Sequence, residues 1–447
     1  MIVVRHPPGR EPERRYGVDV VLGEMLGLEA DCVAEDRDDV ELTLAGDSSG
    51  TRVVLPDVLF RTADSDWLTP ASLPRAPLPR FDPGLERVAD RLPVLYGTAE
   101  VDGVDVFGSV FFLLTRYEEI VSSDRDAHDR FPASASLALR DGFIDRPLAD
   151  EYAELLWSRL SAAWPQLERK ERSYTLRLSH DVDFPLYRAP FHEARSLWRR
   201  DVKLEHAPVV ALRRMTTALA PGLVPKDLDL NNRFDFLMDV SERLGLRSAF
   251  YFIAGNSAGP IDGNYRLDDP WIRKLLARIH RRGHEIGLHT SYNTYLDPAR
   301  VRSELDTLRA ACDAAGVEQE SFGGRQHYLR WQNPETWQAW EDAGLAYDST
   351  LAFADRAGFR SGSCHEHPVF NLRTRTALRL RERPLVVMEV SLLEYERVGL
   401  DGVPAAVSRL AEPVRRVDGE FTLLWHNDRL LSRRARRAYR RAVEAAA

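Results

Sequence analysis

The second half of the chain alternates between helical and strand-like patterns of apolar residues. From residue 175 onward, a helical run that ends in glycine is repeatedly followed at once by a strand-like run, as in SERLG then LRSAFYFIAG, ARIHRRG then HEIGLHT, and WEDAG then LAYDST. Glycine after the last helical turn supplies a left-handed cap, so a strand can begin without a spacer. Seven strands are predicted, at residues 175–181, 247–254, 285–289, 320–325, 345–349, 385–391 and 420–426. Strands and helices at this spacing predict an α/β fold with a parallel sheet, either open or closed into a barrel.

Residues 1–170 have a different pattern. Short strand-like runs such as VVLPDVLF and PVLYG are mixed with a few helical runs, and a proline-rich stretch at residues 70–83 interrupts them. We predict a smaller N-terminal α/β domain, of open role, followed by a larger domain at residues 171–447. An insertion at about residues 185–231 is expected to lie over the entrance of a site. It would either form a solvent-exposed helical cover or bind a phosphorylated or lipid-linked glycan.

Composition and charge narrow the class of protein. The chain has 447 residues, 44% of them hydrophobic and 29% charged, with a net charge of −8 and a pI near 5.9, which argues against a dedicated nucleic-acid binder. The N-terminus lacks the apolar centre of a signal peptide, and no apolar run reaches the length of a transmembrane segment. Three scattered cysteines, Cys32, Cys312 and Cys364, fit a reducing compartment. We therefore expect a cytoplasmic protein.

Polar residues that could take part in catalysis or binding follow the predicted strands. Because the sites of parallel sheets lie at the carboxyl ends of their strands, these residues are expected to converge. Two carboxylates in the stretch LRLSHDVDFP need a cation, a shared proton or full hydration, because close carboxylates repel each other and burial is costly. The residues at the strand ends are Asp181, Asp183, His289, Arg325, His327, Asp348, Glu389 and His426.

Four motifs in order resemble those of a known family. SHDVD, GHEIGLHTSYN, GGRQHY and LLWHN, spread over residues 175 to about 430, resemble the polysaccharide deacetylase family, carbohydrate esterase family 4, which includes chitooligosaccharide deacetylases. The resemblance implies a distorted (β/α) barrel of about seven strands, and a divalent metal, most often zinc, that helps to remove N-acetyl groups from amino sugars. Residues 1–170 lie outside the resemblance and would mark a subgroup with an extra N-terminal domain.

The resemblance also implies roles for individual residues. Asp181 would be the catalytic base, Arg325 would orient its carboxylate, and His426 would be the general acid. Asp183 and His289 would be metal ligands. The positions implied to line the substrate site are His327, Tyr328 and Trp425.

Asn293 is a departure from the family pattern. The family usually has a second histidine four residues after the first, and here that position is Asn293, whose amide oxygen is a weak ligand for zinc. Three readings stay open: Asn293 ligates the metal directly or through water, a nearby histidine replaces it, or no metal binds. The candidate replacements are His327, His365 and His367. The last two lie beside Cys364 in SGSCHEHPVFN, which is more typical of a pocket loop than of a separate zinc site.

The leading hypothesis is a metal-dependent hydrolase that removes an N-acetyl group from an amino sugar, a precursor of a cell-surface polysaccharide. The sugar or glycan substrate could be lipid- or nucleotide-linked, and no nucleic-acid partner is expected. One alternative is a hydrolase of small cyclic or linear amides. A second alternative is a catalytically inactive glycan-binding or scaffold protein, in which the N-terminal domain offers a surface to a partner. The sequence leaves the oligomeric state open.

Overall fold

The computed structural model describes residues 1–187, 192, 194–195, 198, 208–220 and 224–447. Two regions of mixed α/β structure are joined by an irregular segment at residues 164–174, where the domain boundary was predicted. Much of the predicted insertion at residues 185–231 lies outside the described residues. Every helix in the described part of the chain is too short or too polar to cross a lipid bilayer.

The N-terminal region contains a four-stranded sheet with helices packed against it. The sheet order is β2-β1-β3-β4, with β1 and β2 parallel and the other pairs antiparallel. A π-helical segment, Asp19–Met25, continues the first helix. The elements are β1 (Ile2–His6), β2 (Ala30–Ala34), β3 (Asp39–Leu44), β4 (Val53–Pro56), β5 (Arg80–Phe81), β6 (Leu92–Pro93), α1 (Glu11–Val18), α2 (Val106–Leu114), α3 (Tyr117–Val121), α4 (Leu137–Arg140) and α5 (Leu148–Ala163).

The C-terminal region is built on a larger sheet flanked by helices. Its strands are β7 (Thr175–Val182), β8 (Ser248–Ile253), β9 (Glu285–Thr290), β10 (Gly324–Gln326), β11 (Tyr347–Asp348), β12 (His367–Asn371), β13 (Thr376–Glu382), β14 (Val387–Met388) and β15 (Glu420–Leu424). Its helices are α6 (Pro208–Leu219), α7 (Phe234–Arg243), α8 (Pro270–Arg281), α9 (Pro298–Ala315), α10 (Glu335–Ala343), α11 (Val403–Arg416) and α12 (Arg433–Ala446).

The large sheet is curled and has nine strands. Its order is β12-β13-β11-β10-β9-β8-β7-β15-β14, and all neighbouring pairs are parallel except β12 and β13. The seven predicted strands correspond to β7 to β11, β14 and β15. The predicted count of seven was too low, because the antiparallel hairpin of β12 and β13 extends one edge. Sheet order therefore places the ends of β7, β8, β9 and β10 side by side.

Capping residues mark the ends of the helices in the C-terminal region. The side chain of Asp297 accepts a hydrogen bond from the amide of Arg300 at the start of α9, and Gly316 ends this helix with a φ of 67°. Gly344 ends α10 in the same way, with a φ of 83°. A left-handed residue is costly for side chains with a Cβ, so glycine fixes where each helix stops.

Side chains of the C-terminal region pack into the hydrophobic core of the N-terminal region. The hydrophobic core of the N-terminal region includes Phe353, Phe370 and Leu372 from the C-terminal region. The ring of Phe370 lies 5.1 Å from Tyr16 and 5.4 Å from Phe111. Side chains from beyond residue 170 thus complete the N-terminal core.

Candidate active site

Asp181 and Arg325 form a buried ion pair near the carboxyl ends of β7 and β10. Arg325 Nη1 donates to Asp181 Oδ1 at 2.7 Å, and both side chains are almost fully buried. Arg325 also donates to the hydroxyls of Ser179 and Ser349, at 3.1 and 3.0 Å. A side chain at Gly324 would overlap the backbone of Leu288, so the glycine before Arg325 lets β10 approach β9. These contacts fix one oxygen of Asp181 and leave Oδ2 facing the site.

Asp183 lies between two histidines. Its Oδ1 is 3.3 Å from His289 Nε2, and its Oδ2 is 3.6 Å from His327 Nε2. Both rings are anchored through their other nitrogen: His289 Nδ1 is 2.8 Å from the carbonyl oxygen of Arg325, and His327 Nδ1 is 3.2 Å from Asp262 Oδ1. Because the Nδ1 atoms are occupied, the Nε2 atoms face Asp183.

His426 approaches the same carboxylates from the end of β15. Its Nε2 is 3.7 Å from Asp183 Oδ2 and 4.0 Å from Asp181 Oδ2. Its Nδ1 lies 2.7 Å from Glu389 Oε1, and its backbone amide donates to the same oxygen at 3.0 Å. Glu389 was recognised from the sequence as a strand-end residue, but its role in orienting His426 was missed.

Burial and charge set the protonation of the site. Burial raises the pKa of Asp181 and of Asp183, but the basic groups around them together outweigh it, chiefly Arg325 beside Asp181 and His327 beside Asp183, so both values lie below the ordinary one. Burial lowers the pKa of His426, but the carboxylates around it, Glu389 above all and then Asp183 and Asp181, together raise it to about 10. At neutral pH the carboxylates of Asp181 and Asp183 therefore face the protonated side chains of Arg325 and His426.

A group of nitrogen and oxygen atoms in the site fits a metal ion. One atom each from Asp183, His289 and His327 lie within 4.8 Å of one another. Asp183 Oδ1 and His289 Nε2 are buried, and among the described residues neither has a hydrogen-bond partner. Two imidazole nitrogens and a carboxylate oxygen are donors that zinc accepts, and anchoring of the outer imidazole nitrogen is typical of metal-binding histidines.

The structure does not bring Asn293 into this group. Its carboxamide donates to the carbonyl oxygen of Ser257 at 3.0 Å and accepts from Arg330 at 3.0 Å. Because Arg330 and Ser257 hold both ends of the amide, His327 rather than Asn293 stands beside Asp183 and His289. Of the three alternatives, the geometry favours replacement of the missing histidine by His327.

The other predicted substrate contacts differ in their placement. Tyr328 is 38% exposed, and its ring lies 4.9 Å from that of His327, so it is accessible at the edge of the site. Trp425 is fully buried and packs on Tyr439 at 5.2 Å, within the core of the C-terminal region. The predicted substrate contact of Trp425 does not agree with this position, because its ring lies in the core while the next residue, His426, enters the site.

The remaining candidate histidines belong to another cluster. His365 Nδ1 lies 2.6 Å from Asp150 Oδ1, and the amide of Cys364 donates to Asp150 Oδ2 at 2.9 Å. His367 Nδ1 is 2.9 Å from the carbonyl oxygen of His365. Asp150, Cys364 and His365 are also close enough to hold an ion. Asp150 already accepts hydrogen bonds from both neighbours, which makes the cluster a junction between α5 and the C-terminal region.

A comparison with protein families matches the N-terminal region. Residues 2–165 match a family described as a family of unknown function, DUF7033. No curated protein matches the chain.

Solved structures resemble about three fifths of the chain. A candidate polysaccharide deacetylase from Mycobacterium smegmatis is 19% identical with a TM-score of 0.37, over 62% of this chain and 84% of the other. The polysaccharide deacetylase Bc1974 from Bacillus cereus is 10% identical with a TM-score of 0.28, over 62% and 87%. Puue allantoinase is 11% identical with a TM-score of 0.37, over 61% and 84%. These values are too low to assign an activity.

Proposed function

We propose that the chain is a metal-dependent hydrolase that removes the N-acetyl group from an amino sugar. The observation that supports it best is the convergence of Asp181, which is held by Arg325, and His426, which is held by Glu389, within 4.0 Å of each other and beside Asp183. Amide hydrolysis needs a base that takes a proton from water and an acid that gives one to the departing amine. The site offers both groups in the required protonation states.

The proposed metal ligands are Asp183, His289 and His327, and zinc is the proposed metal. The buried, unpaired Asp183 Oδ1 and His289 Nε2 fit such an ion. A divalent ion bound there would lower the pKa of a bound water toward about 7 and polarise the amide carbonyl.

The protein's own groups carry the proton transfers. Asp181 Oδ1 is held by Arg325, so Oδ2 is the atom that would accept the proton of the attacking water. Glu389 holds the Nδ1 side of His426, so the proton on Nε2 is directed into the site and can be given to the leaving nitrogen. Asp181 and His426 thus act as separate base and acid.

The choice of an N-acetylated sugar rests on the four sequence motifs, whose residues Asp181, Asp183, His289, Arg325 and His426 meet in one site. A lipid- or nucleotide-linked precursor of a surface polysaccharide is the proposed form of the substrate.

Metal analysis and activity assays on matched variants test this proposal. Purified protein is expected to hold about one zinc per chain and to release acetate from N-acetyl sugars. Asp181→Asn should keep the metal and lose at least about 100-fold in activity, the range of a lost general base. Asp268→Asn is the control, because Asp268 pairs with Arg266 on the surface.

A protein that binds no metal and releases no acetate would contradict the proposal. Turnover of small cyclic amides in place of acetylated sugars would support the alternative amide hydrolase.

A further inference from the structure

A short segment of the N-terminal region contacts the candidate active site. We call residues Asp126–Phe131 the mouth segment. Its Arg130 is buried and donates from Nη1 to the carbonyl oxygen of Tyr328 at 3.1 Å and from Nη2 to the hydroxyl of Tyr395 at 3.3 Å. Asp126 fixes the same guanidinium at 2.7 Å. The segment thus reaches a turn that follows directly after His327.

That turn has an unfavourable backbone conformation. Tyr328 and Leu329 have φ angles of 61° and 55°, in the left-handed region. The left-handed conformation costs about 1–2 kcal/mol for each residue that carries a Cβ. Such a conformation persists only where surrounding contacts hold it. The turn begins at His327 and so sets its backbone position, while Asp262 holds the Nδ1 side of its ring.

Arg330 fastens the other side of the turn to the mouth segment. Its guanidinium is buried and donates to the carbonyl oxygen of His128 at 2.9 Å and to Asp129 Oδ2 at 2.7 Å. It also donates to the carbonyl oxygen of Tyr292 at 2.8 Å and to Asn293 Oδ1 at 3.0 Å. Arg330 therefore ties the loop after β9, the turn after β10 and the mouth segment together.

Aromatic contacts continue the same arrangement at the surface. The ring of His128 lies 4.9 Å from Tyr328, and its Nδ1 is 2.9 Å from the hydroxyl of Tyr292. The ring of Tyr328 in turn lies 4.9 Å from His327. A continuous row of rings therefore runs from the N-terminal region to the candidate metal ligand.

We propose that Arg130 is a positioning residue of the active site, which holds the strained turn so that His327 faces Asp183. The N-terminal region is then a working part of the site, and its contribution is to fix one metal ligand. This inference rests on the proposed function, because it assigns His327 to the metal.

Zinc affinity of the metal-free full-length protein tests the inference. Competition with a chromophoric chelator gives the dissociation constant for Arg130→Met, with Arg125→Met as matched control. Arg125 lies just before the mouth segment; within the described part of the chain its hydrogen bonds go only to backbone oxygens of Ser122, Asp124 and Glu119, and its guanidinium lies 6.0 Å from the ring of Phe131. Arg130→Met should weaken zinc binding about 10- to 100-fold, the range for loss of an outer partner of a ligand. Arg125→Met should change it less than about threefold, because it leaves the turn untouched.

A double variant separates positioning from general damage. In a His327→Ala background the ligand is already absent, so Arg130→Met should weaken zinc binding by less than about threefold more. A similar loss in both backgrounds, an equal loss in Arg125→Met, or wild-type affinity in Arg130→Met would overturn the inference while leaving the proposed function intact. A wild-type protein that binds no zinc would overturn the proposed function and this inference with it.

Discussion

The substitution Arg325→Met tests whether the buried ion pair holds the site together. Arg325 is fully buried, and its guanidinium serves Asp181, Ser179 and Ser349. Methionine fills similar space without charge, so Asp181 would remain as a buried carboxylate without its guanidinium partner. Breaking a buried pair in this way costs about 3–5 kcal/mol of unfolding free energy.

The same change should affect catalysis. Arg325 is the largest influence that lowers the pKa of Asp181 against the effect of burial. Without it the pKa of Asp181 rises and the carboxylate loses the contact that orients it, so it becomes a poorer base. We expect activity to fall by at least about 100-fold at neutral pH.

A matched control and a double variant complete the test. Arg177→Met removes another arginine–carboxylate pair, the bidentate one with Glu420 on the neighbouring strand, where the side chains are 36% and 22% exposed. A partly solvated pair of this kind contributes less than a fully buried one, about 0–1 kcal/mol when it is solvent-screened, so the control should lose much less stability than Arg325→Met. The double variant Arg325→Met, Asp181→Asn should recover part of the stability, because no buried charge remains, but no activity.

The assay is urea denaturation at pH 7, followed by circular dichroism and by fluorescence. Similar m-values in all variants would show that the unfolded states are comparable. A loss in Arg325→Met no larger than that in Arg177→Met, or retained activity, would refute the reasoning about the buried pair.

Three further results are expected. His327→Ala should weaken zinc binding more than about 100-fold, which exceeds the effect of losing a residue that only contacts a ligand. Asn293→Ala should leave zinc affinity within about threefold of the wild type, because Asn293 hydrogen-bonds to Arg330. Equal effects of the two variants in a chelator competition would contradict this. Glu389→Gln should move the alkaline limb of the pH–rate profile to lower pH, because Glu389 raises the pKa of His426 to about 10; an unmoved limb would contradict it. Burial raises the pKa of Glu304 to about 7 from an ordinary 4.5, so its protonated form favours the fold at low pH, and this stability is lost as pH rises through 7. Relative to Glu304→Gln, the free energy of unfolding of the wild type should fall by about 3 kcal/mol between pH 4 and 8, as measured by urea titrations. Parallel plots of unfolding free energy against pH for the two proteins would contradict this.

Much of the C-terminal region could be predicted from the sequence because its patterns are local. Runs of apolar residues mark β7, β8 and β9, and glycine marks the helix ends between them. The rule that parallel strands end on one side then brings Asp181, Asp183 and His289 together without further information. The hairpin of β12 and β13 was missed, although TALRLRE alternates apolar and polar residues in the way an exposed strand does.

Two of the predicted site residues make contacts that the sequence did not indicate, for different reasons. Trp425 precedes His426 in extended chain, where neighbouring side chains point to opposite faces, so alternation alone could have shown that only one of them enters the site. Asn293 was considered as a metal ligand because it stands four residues after His289, where the family usually has a histidine. In the structure its side-chain oxygen accepts a hydrogen bond from Arg330, which is 37 residues away in sequence. The left-handed turn at Tyr328 contains no glycine, so the local sequence did not predict the turn or the orientation of His327.

The role of the N-terminal region could not be predicted because its contacts are non-local. Arg130 and Tyr328 are 198 residues apart, and His128 and Tyr292 are 164 apart. Neither pair belongs to a repeating pattern, and each depends on how the two regions pack.

The shared packing around Phe353, Phe370 and Leu372 bears on how the chain melts. Because these side chains complete the core of residues 1–165, neither region can lose its structure without exposing apolar surface of the other. Heating should thus produce a single cooperative transition in which secondary structure and metal binding disappear together. A fragment beginning near residue 171 would expose these three side chains to water and would be prone to aggregate.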